Sequence, residues 1–426
     1  MKVYLDMVGC RLNQAELEII AFDFLQRGFQ LTDNPAEADY AVLNTCAVTA
    51  AAASDSRGKI RKLKQNPSTK VIVTGCLSET VSENDELLSG VFQIVSNDKK
   101  TSLVQGLLGE AESNQKEPLT VRVSIPGQRN RTRKFIKAQD GCDNFCTFCL
   151  TRLARGKSRS TILETILADV HRAEKAGVKE IILTGVNLGA WGHDFRERLT
   201  LVELIKQLLQ QSDIQRIRLS SLEPWDLNDD FLELWENSRL CPHLHLPIQS
   251  GSKSVLKRMN RRTDPELLKK QMAAIRSSYP NFSLTTDLIC GFPGETEKEF
   301  EESLNFINET GFNGGHVFPY SERPQTAAAR MTGKVPVKIR RDRAARMRSA
   351  IHAAGFAFAS QMVRQQVHVL WESAHKTSTQ NYQLKGYTEN YLPAVKTQTS
   401  TRVNFIETVV VSGSDQGKLL VETITD

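Results

Sequence analysis

The chain has 426 residues, 40% of them hydrophobic and 24% charged, with a formal net charge of +6. This hydrophobic content is enough for buried cores, which excludes general disorder, and no apolar run reaches the roughly 20 residues that a membrane-spanning helix needs. The first residues lack the apolar segment of a signal peptide, so we expect a cytoplasmic protein with no membrane partner. The length predicts about three domains.

The first third of the chain predicts a parallel α/β sheet. Short β-branched, apolar runs at 2–7, 39–43 and 70–74 predict strands. A helix that starts near Asn13 and another at 54–65 fill the segments between them. Strands that alternate with helices in this way form parallel sheets.

A cysteine follows each of these three strands: Cys10, Cys46 and Cys76, here called the first cysteine set. The carboxyl ends of parallel strands share one edge of the sheet, so we expect the three thiols to converge. Buried packing thiols are the alternative for any single cysteine, but they do not explain three equivalent positions. Three thiolates suit an iron–sulfur cluster with one open iron, or a catalytic zinc.

The second cysteine set is Cys142, Cys146 and Cys149, in the sequence DGCDNFCTFCL. It follows a predicted strand at 134–139, and no fourth cysteine lies nearby to complete a zinc site. Three thiolates on one tight loop would bind three irons of a [4Fe–4S] cluster and leave the fourth iron free.

The middle of the chain then alternates strands and helices and predicts a partial (βα)6 barrel. Its strands are predicted at 134–139, 180–184, 215–219, 243–248, 282–289 and 314–318. Its helices are predicted at 162–176, 200–211, 228–238, 264–278 and 296–310. Active sites of such barrels lie on the loops after the strands. Here those loops are polar and glycine-rich, which suits a nucleoside-bearing cofactor.

The last part of the chain predicts a basic helix and a small all-β domain. The segment 326–349 is helical and rich in arginine, which predicts either a solvated face or a phosphate-binding flank. The stretch 128–137 is also basic. After residue 363, five short alternating runs predict a five-stranded β-barrel, a fold that binds oligonucleotides through aromatic and basic residues.

The whole chain resembles the radical S-adenosylmethionine methylthiotransferase family. The second cysteine set matches its radical motif, with Phe148 at the expected aromatic position, and the first set matches its auxiliary cluster. The segments GCRLNQAELE (9–18), NTCAVTAAAASDSR (44–57) and HVFPYSERPQTAAARM (316–331) resemble the branch that acts on N6-threonylcarbamoyladenosine in tRNA. Two positions depart from the pattern: Arg152 lies where a proline run is usual, and Gln325 replaces a common glycine.

The resemblance implies three domains: 1–125 with an auxiliary [4Fe–4S] cluster, 126–360 as the radical S-adenosylmethionine barrel, and 361–426 as an RNA-binding TRAM barrel. It implies two [4Fe–4S] clusters and S-adenosylmethionine as cofactors. The residues expected to contact the cofactor are Phe148, Gly185, Asn187, Glu223, Gln249, Gly291 and Gly294. Those expected to contact RNA are Arg340, Arg341, Lys385, Tyr387 and Arg402. Cys241 and Cys290 match no ligand position, and we expect both to be packing thiols.

The activity implied is conversion of N6-threonylcarbamoyladenosine at position 37 of tRNA to its 2-methylthio derivative. A 5′-deoxyadenosyl radical would activate the inert C2–H bond, and the auxiliary cluster would supply sulfur. The expected partners are a tRNA anticodon stem–loop, an electron donor such as flavodoxin or ferredoxin, and a sulfur source. The alternatives are isopentenyladenosine-37 tRNA, a ribosomal protein, which the GCRLNQ motif disfavours, a radical S-adenosylmethionine RNA methyltransferase that transfers no sulfur, or an iron–sulfur RNA-binding protein without turnover.

Overall fold

The computed structural model of the protein describes residues 1–81, 85–109, 125, 132–378 and 380–424. The α-helices are α1 (Arg11–Gln26), α2 (Ala50–Leu63), α3 (Leu103–Leu108), α4 (Thr151–Arg155), α5 (Leu163–Lys175), α6 (Leu201–Gln211), α7 (Asp229–Leu232), α8 (Lys253–Arg258), α9 (Pro265–Ser278), α10 (Glu297–Thr310) and α11 (Val337–Gln361). The strands are β1 (Lys2–Met7), β2 (Gln30–Thr32), β3 (Tyr40–Thr45), β4 (Lys70–Gly75), β5 (Gln93–Val95), β6 (Arg133–Lys137), β7 (Gln139–Asp140), β8 (Arg159–Ser160), β9 (Glu180–Thr184), β10 (Arg216–Leu219), β11 (His243–His245), β12 (Ser283–Cys290), β13 (Gly314–Pro319), β14 (Gln366–Lys376), β15 (Tyr382–Thr388), β16 (Pro393–Gln398), β17 (Ile406–Asp415) and β18 (Lys418–Thr423).

The first sheet is parallel and has the strand order β2-β1-β3-β4-β5. Every residue of β3 is buried, as expected for a parallel strand covered by helices on both faces. The apolar stripe of α1, including Leu17, Ile20 and Phe24, packs against one face of this sheet. The three predicted strands and both predicted helices are confirmed.

The barrel consists of two parallel three-stranded sheets, β10-β9-β6 and β11-β12-β13. Isolated bridges from Ile217 to Leu240 and from Ser221 to His245 connect them. Six parallel strands in chain order therefore form an open barrel, which confirms the predicted architecture. The short antiparallel pair β7–β8 closes the base of the loop that carries the second cysteine set.

Three predicted elements differ from the structure. The predicted helix at 228–238 is only α7 followed by a 3-10 turn at Glu233–Glu236, and the predicted strand at 243–248 stops at His245. The predicted helix at 326–349 begins only at Val337 and continues to Gln361. A proline disfavours helical backbone in the residue before it, so Pro336 sets that start.

The last unit is a closed five-stranded barrel with the order β14-β15-β16-β18-β17, as predicted. Its core contains Trp371, Leu384, Val409 and Leu419. In the part of the chain that the structure describes, no helix is both long enough and apolar enough to cross a bilayer.

The three units meet around Tyr391, which precedes β16. Arg11 of α1 donates a hydrogen bond to the Tyr391 hydroxyl at 2.9 Å, and the guanidinium of Arg218 lies 4.7 Å from the Tyr391 ring centre. Arg218 also donates two hydrogen bonds to the fully buried Glu180, at 2.8 and 3.3 Å. One cationic and aromatic cluster thus joins the first sheet, the six-stranded barrel and the C-terminal barrel.

We predict that Glu180→Gln lowers the free energy of unfolding by about 3 kcal/mol, because it leaves the buried Arg218 without its counter-charge. Burial alone would raise the Glu180 pKa, but Arg218 outweighs it and lowers that pKa from about 4.5 to about 2. The contribution should therefore be complete above pH 4.5 and be lost as the pH falls toward 2. Urea unfolding followed by tryptophan fluorescence tests both statements.

The control for this prediction is Glu309→Gln. Glu309 pairs with Lys269 at the surface, where an ion pair contributes about 1 kcal/mol or less. Equal losses in the two variants would contradict a stabilising role for the buried pair.

Candidate active site

The first cysteine set converges at the carboxyl edge of the first sheet, as predicted. Cys10 is exposed at the amino terminus of α1, whereas Cys46 and Cys76 are buried. Gly9, at a φ of +120°, permits the close approach of Cys46 to the backbone before Cys10, since a Cβ on Gly9 would lie 2.9 Å from the Cys46 Cβ.

The electrostatics of this set disfavour three free thiolates. Burial, and then the nearby charges of Cys76 and Cys10, raise the pKa of Cys46 to about 11. Burial also raises the pKa of Cys76, although the charge of Arg155 opposes the shift. The thiolates therefore need positive charge beside them, which a metal centre supplies.

The second cysteine set carries an N–H donor at each sulfur. The Asn144 amide donates to Cys142 Sγ at 3.4 Å, and the Thr151 amide donates to Cys149 Sγ at 3.3 Å. Arg261 Nη1 donates to Cys146 Sγ at 3.8 Å. Such donors stabilise anionic sulfur, so the loop fits an iron–sulfur cluster.

Backbone hydrogen bonds and one aromatic contact hold the cysteine loop against the barrel. The Thr147 amide donates to the Met259 carbonyl at 3.0 Å, and the Ala328 amide donates to the Thr147 carbonyl at 2.8 Å. Phe148 meets Phe292 edge to face, with ring centres 6.5 Å apart. Phe148 therefore packs under the loop.

No three His, Cys, Asp or Glu side chains are grouped to hold a single metal ion within the described ranges. Cysteines of an iron–sulfur cluster bind different irons and do not converge on one ion, so this finding does not bear against a cluster.

Polar groups of the loop after β9 lie against Gln139, three residues before Cys142. The Asn187 amide donates to Gln139 Oε1 at 2.8 Å, while Asn187 Oδ1 is buried with no hydrogen-bond partner in the structure. Gly185 lies against the same glutamine, where a Cβ would come within 3.0 Å of Gln139 Oε1. The unpaired carbonyl of Asn187 could accept a hydrogen bond from an ammonium or amide group of a ligand.

Glu223 is less available than the sequence suggests. Both of its carboxylate oxygens accept hydrogen bonds from Arg261, at 3.0 and 2.6 Å. Close by, burial and then the charge of Glu223 raise the pKa of Asp226 to about 7, and Asp226 Oδ2 is buried without a partner in the structure. Sequence reasoning missed both Arg261 and Asp226.

Gln249, Gly291 and Gly294 occupy the loops after β11 and β12. Gln249 has a φ of 69° and bridges the two strands, with Ile289 donating to its carbonyl at 2.9 Å. A Cβ on Gly291 would meet Arg340, and the Gly294 amide donates to the Gly333 carbonyl at 2.8 Å. Protein atoms therefore cover these faces of both glycines, and their contact with adenine stays a prediction.

Two of the five residues predicted to bind RNA are engaged within the protein. Arg340 donates to the Tyr320 carbonyl at 2.7 Å. Tyr387 stacks on Tyr391, with ring centres 5.1 Å apart, and the Arg133 guanidinium lies 4.8 Å from the Tyr387 ring centre. Their packing does not support an RNA contact. Arg341, Lys385 and Arg402 are exposed, although the Arg402 guanidinium also lies 5.0 Å from the Phe405 ring centre, and the contact of all three with RNA stays a prediction.

Several cations of the basic stretches are paired within the protein. Arg343 of α11 pairs with Glu295 and Glu297, both at 2.9 Å. In the stretch 128–137, Lys134 pairs with Glu18 at 2.5 Å, while Arg129 and Arg131 lie outside the described residues. These paired residues are not free to bind phosphate in this structure, and the phosphate-binding alternative stays a prediction for the other cations of both stretches. The carboxylate partners of Arg343 and Lys134 are distant in sequence.

Arg323 is a candidate site residue that sequence reasoning missed, in the loop after β13. Its Nε and Nη2 atoms are buried without a hydrogen-bond partner in the structure, and its charge interacts with Cys46. Two residues on, Gln325 has a φ of 75°, which favours glycine, and donates to the Thr80 carbonyl at 3.4 Å. A charged residue in a barrel loop was the available signal.

The two cysteine sets face one mouth. Asn97 of the first unit donates to the Ala154 carbonyl of α4 at 2.6 Å, and Arg155 of α4 donates to Asn13 Oδ1 at 2.7 Å. The cysteine edge of the first sheet thus lies over the barrel loops, as expected. Cys241 and Cys290 are buried elsewhere, and burial raises the pKa of each thiol to about 12, which confirms them as packing residues.

Two family models match the chain. Residues 136–307 match the radical SAM superfamily, and residues 2–95 match the uncharacterized protein family UPF0004. The solved structure of the radical S-adenosylmethionine methyltransferase TsrM from Kitasatospora setae, with cobalamin and a [4Fe–4S] cluster bound, aligns with a TM-score of 0.56. That alignment covers 77% of this chain and 74% of the other at 12% identity, and it supports the fold alone.

Curated relatives match most of the chain. The threonylcarbamoyladenosine tRNA methylthiotransferase MtaB of Bacillus subtilis (strain 168) is 35% identical over 400 residues, covering 91% of this chain and 88% of that protein. MtaB of Thermotoga maritima is 37% identical over 349 residues, covering 80% of each. The tRNA-2-methylthio-N(6)-dimethylallyladenosine synthase of Bacillus subtilis (strain 168) is 33% identical over 403 residues, covering 91% of this chain and 79% of that protein.

We predict that the reconstituted protein binds about eight irons, and that replacing either cysteine set by alanine leaves about four. Each set should bind one cluster independently, because the two lie on separate units. Iron and sulfide analysis after anaerobic reconstitution measures this. Cys290→Ala is the matched control and should keep all of the iron. Full iron content in either triple variant would remove that set from cluster binding.

Proposed function

The chain belongs to the family of radical S-adenosylmethionine tRNA methylthiotransferases, and from that membership we propose that it converts N6-threonylcarbamoyladenosine at position 37 of tRNA to 2-methylthio-N6-threonylcarbamoyladenosine. The MtaB relatives, matched over most of their length, support this substrate. The dimethylallyladenosine synthases represent a related branch at slightly lower identity.

One observation carries the proposal beyond similarity: two three-cysteine sets from separate units meet at one barrel mouth. A single cluster with an open iron would suffice to cleave S-adenosylmethionine. Transfer of sulfur to carbon needs a second centre beside the same substrate. The contacts of α4 with Asn13 and Asn97 support this shared mouth.

The cofactors are two [4Fe–4S] clusters and S-adenosylmethionine, which together supply radical generation, sulfur and a methyl group. The chain's own residues would hold and orient these groups. The N–H donors at Cys142, Cys146 and Cys149 would stabilise the charged thiolates. Asn187 Oδ1, buried and unpaired, suits the amino group of the methionine moiety.

We propose the domain division 1–125 for the auxiliary cluster, 126–360 for the radical barrel and 361–426 for RNA binding. The boundary between the first two falls within a stretch where only residue 125 is described. The small closed barrel suits RNA binding of the TRAM type. The partners would be the anticodon stem–loop, an electron donor such as flavodoxin or ferredoxin, and a sulfur source, in the cytoplasm where tRNA is modified.

We predict that cells lacking the gene lose 2-methylthio-N6-threonylcarbamoyladenosine and accumulate its unthiolated precursor, since no other step would consume that nucleoside at C2. Nucleoside mass spectrometry of bulk tRNA measures both. Complementation with the wild-type gene should restore the product, and complementation with the first cysteine set replaced by alanine should not.

Other results of this mass spectrometry would support the alternative functions. Loss of the methylthio-isopentenyl nucleoside would move the protein to the dimethylallyladenosine branch with the same chemistry. An unchanged nucleoside profile would contradict a tRNA substrate and direct the search to ribosomal protein masses.

We predict that Lys385→Gln combined with Arg402→Gln weakens binding of the anticodon stem–loop. Two lost phosphate contacts should reduce the slope of log K against log salt concentration by about 2. Fluorescence anisotropy across a salt series measures the slope. Lys206→Gln, exposed on α6, is the control. An unchanged slope would exclude the two residues from the RNA surface.

A further inference from the structure

A group of charged side chains is buried between the first sheet and the loop of the second cysteine set. It consists of Glu16, Lys100, Lys137, Asp140 and Arg155, here called the ionic hub. Four of these side chains are at most 5% exposed, and Lys137 is 13% exposed. Burying so many charges is costly unless each is paired, and even a paired group contributes little net stability. Stability alone therefore does not account for the hub.

Arg155 is the member that touches both sides. Its Nη1 donates to Glu16 Oε1 at 2.8 Å and to Asp140 Oδ1 at 2.9 Å. Its Nη2 donates to Asn13 Oδ1 at 2.7 Å and to Glu16 Oε2 at 3.3 Å. The planar guanidinium holds these groups in a fixed relation, which a single ammonium cannot do.

These contacts lead directly to the cysteines. Asn13 Nδ2 donates to the carbonyls of Val8 and Thr45, at 2.7 and 3.1 Å, just before Cys10 and Cys46. On the barrel side, Asp140 Oδ1 accepts from the Gly141 amide at 2.8 Å, immediately before Cys142. Arg155 itself ends α4, six residues after Cys149.

The hub carries a surplus of positive charge. Three cations face two carboxylates, which leaves one uncompensated positive charge. The buried thiol of Cys76 interacts electrostatically with both Arg155 and Lys100. A surplus cation beside a buried thiolate suits a centre that is anionic when it is loaded.

We infer that Arg155 is a positioning residue that sets the first cysteine set against the second, and that its charge compensates the auxiliary cluster. The inference rests on the proposed function for the presence of two clusters. Arg155 contacts no reacting atom in this arrangement; it acts through Asn13, Asp140 and Cys76. Loss of the fork of hydrogen bonds made by its two guanidinium N–H groups should therefore misalign the auxiliary cluster for sulfur transfer without preventing radical formation.

The test compares Arg155→Met with Arg155→Lys. The methionine variant removes the charge and the fork, and the hub that remains has two cations and two carboxylates, so it is balanced. The lysine variant keeps the charge and removes the fork. The control is Arg216→Met, a buried arginine at the start of β10, at the opposite end of the barrel strands.

Two quantities are measured on reconstituted protein. The first is the amount of methylthio nucleoside formed per 5′-deoxyadenosine released. The second is the midpoint potential of the auxiliary cluster, followed by EPR in a background where the second cysteine set is replaced by alanine. The methionine variant should lower the ratio of methylthio nucleoside to 5′-deoxyadenosine about 10-fold or more, and it should lower the midpoint potential. The lysine variant should restore the potential but not the ratio.

Each of the following outcomes contradicts a specific part of the inference or of the proposed function. A methionine variant equal to the wild type in ratio and potential would refute the inference. If the lysine variant recovered both the product ratio and the midpoint potential, the charge alone would account for the effect of Arg155, and the positioning role would be refuted. If the methionine variant does not fold, the lysine variant alone decides the positioning role. Wild-type protein that cleaves S-adenosylmethionine yet forms no methylthio product would contradict the proposed function instead.

Discussion

Two sets of sulfur ligands from separate folded units must share one opening, and this constraint organises the rest of the structure. Neither set is stable as thiolates in a buried environment without compensating charge, as the raised pKa of Cys46 and Cys142, both to about 11, shows. The second set receives N–H donors from its own loop and from Arg261. For the first set, the charge of Arg155, which belongs to the other unit, opposes the raised pKa of Cys76. Charge compensation therefore crosses the domain boundary.

The boundary is also fixed at a second point. Around Tyr391, an arginine from the first unit, two from the barrel and the ring from the C-terminal unit pack together. The residue after Cys10 is the arginine that bonds to Tyr391, so the C-terminal barrel is one residue removed from a cysteine of the first set. A unit suited to bind RNA is thus held in a fixed relation to the sulfur edge. That is what a site acting on one base of a large RNA requires.

The sequence predicts well where local pattern and topology suffice. The placement of Cys10, Cys46 and Cys76 at strand ends follows from the predicted strands and from the geometry of parallel sheets. The loop of Cys142, Cys146 and Cys149 follows from spacing. The contact of Arg155 with Glu16 could not be predicted, because 139 residues separate them and each residue reads as an ordinary surface charge. The same limit explains Arg261, which pairs with Glu223 only because two barrel loops meet.

Charge in the sequence is a poor guide to the RNA surface for a related reason. Arg343 and Lys134 read as cations available for phosphate, yet acidic residues distant in sequence bind them. The cations available for ligand binding are those that the folded protein leaves without a carboxylate or hydrogen-bond partner. Among the residues described, Arg323 meets that condition at the site itself, with two buried N–H groups unpaired and Cys46 close by. A guanidinium with unpaired buried N–H groups is costly to leave alone, so Arg323 is the cation at the mouth that is open to an anionic group.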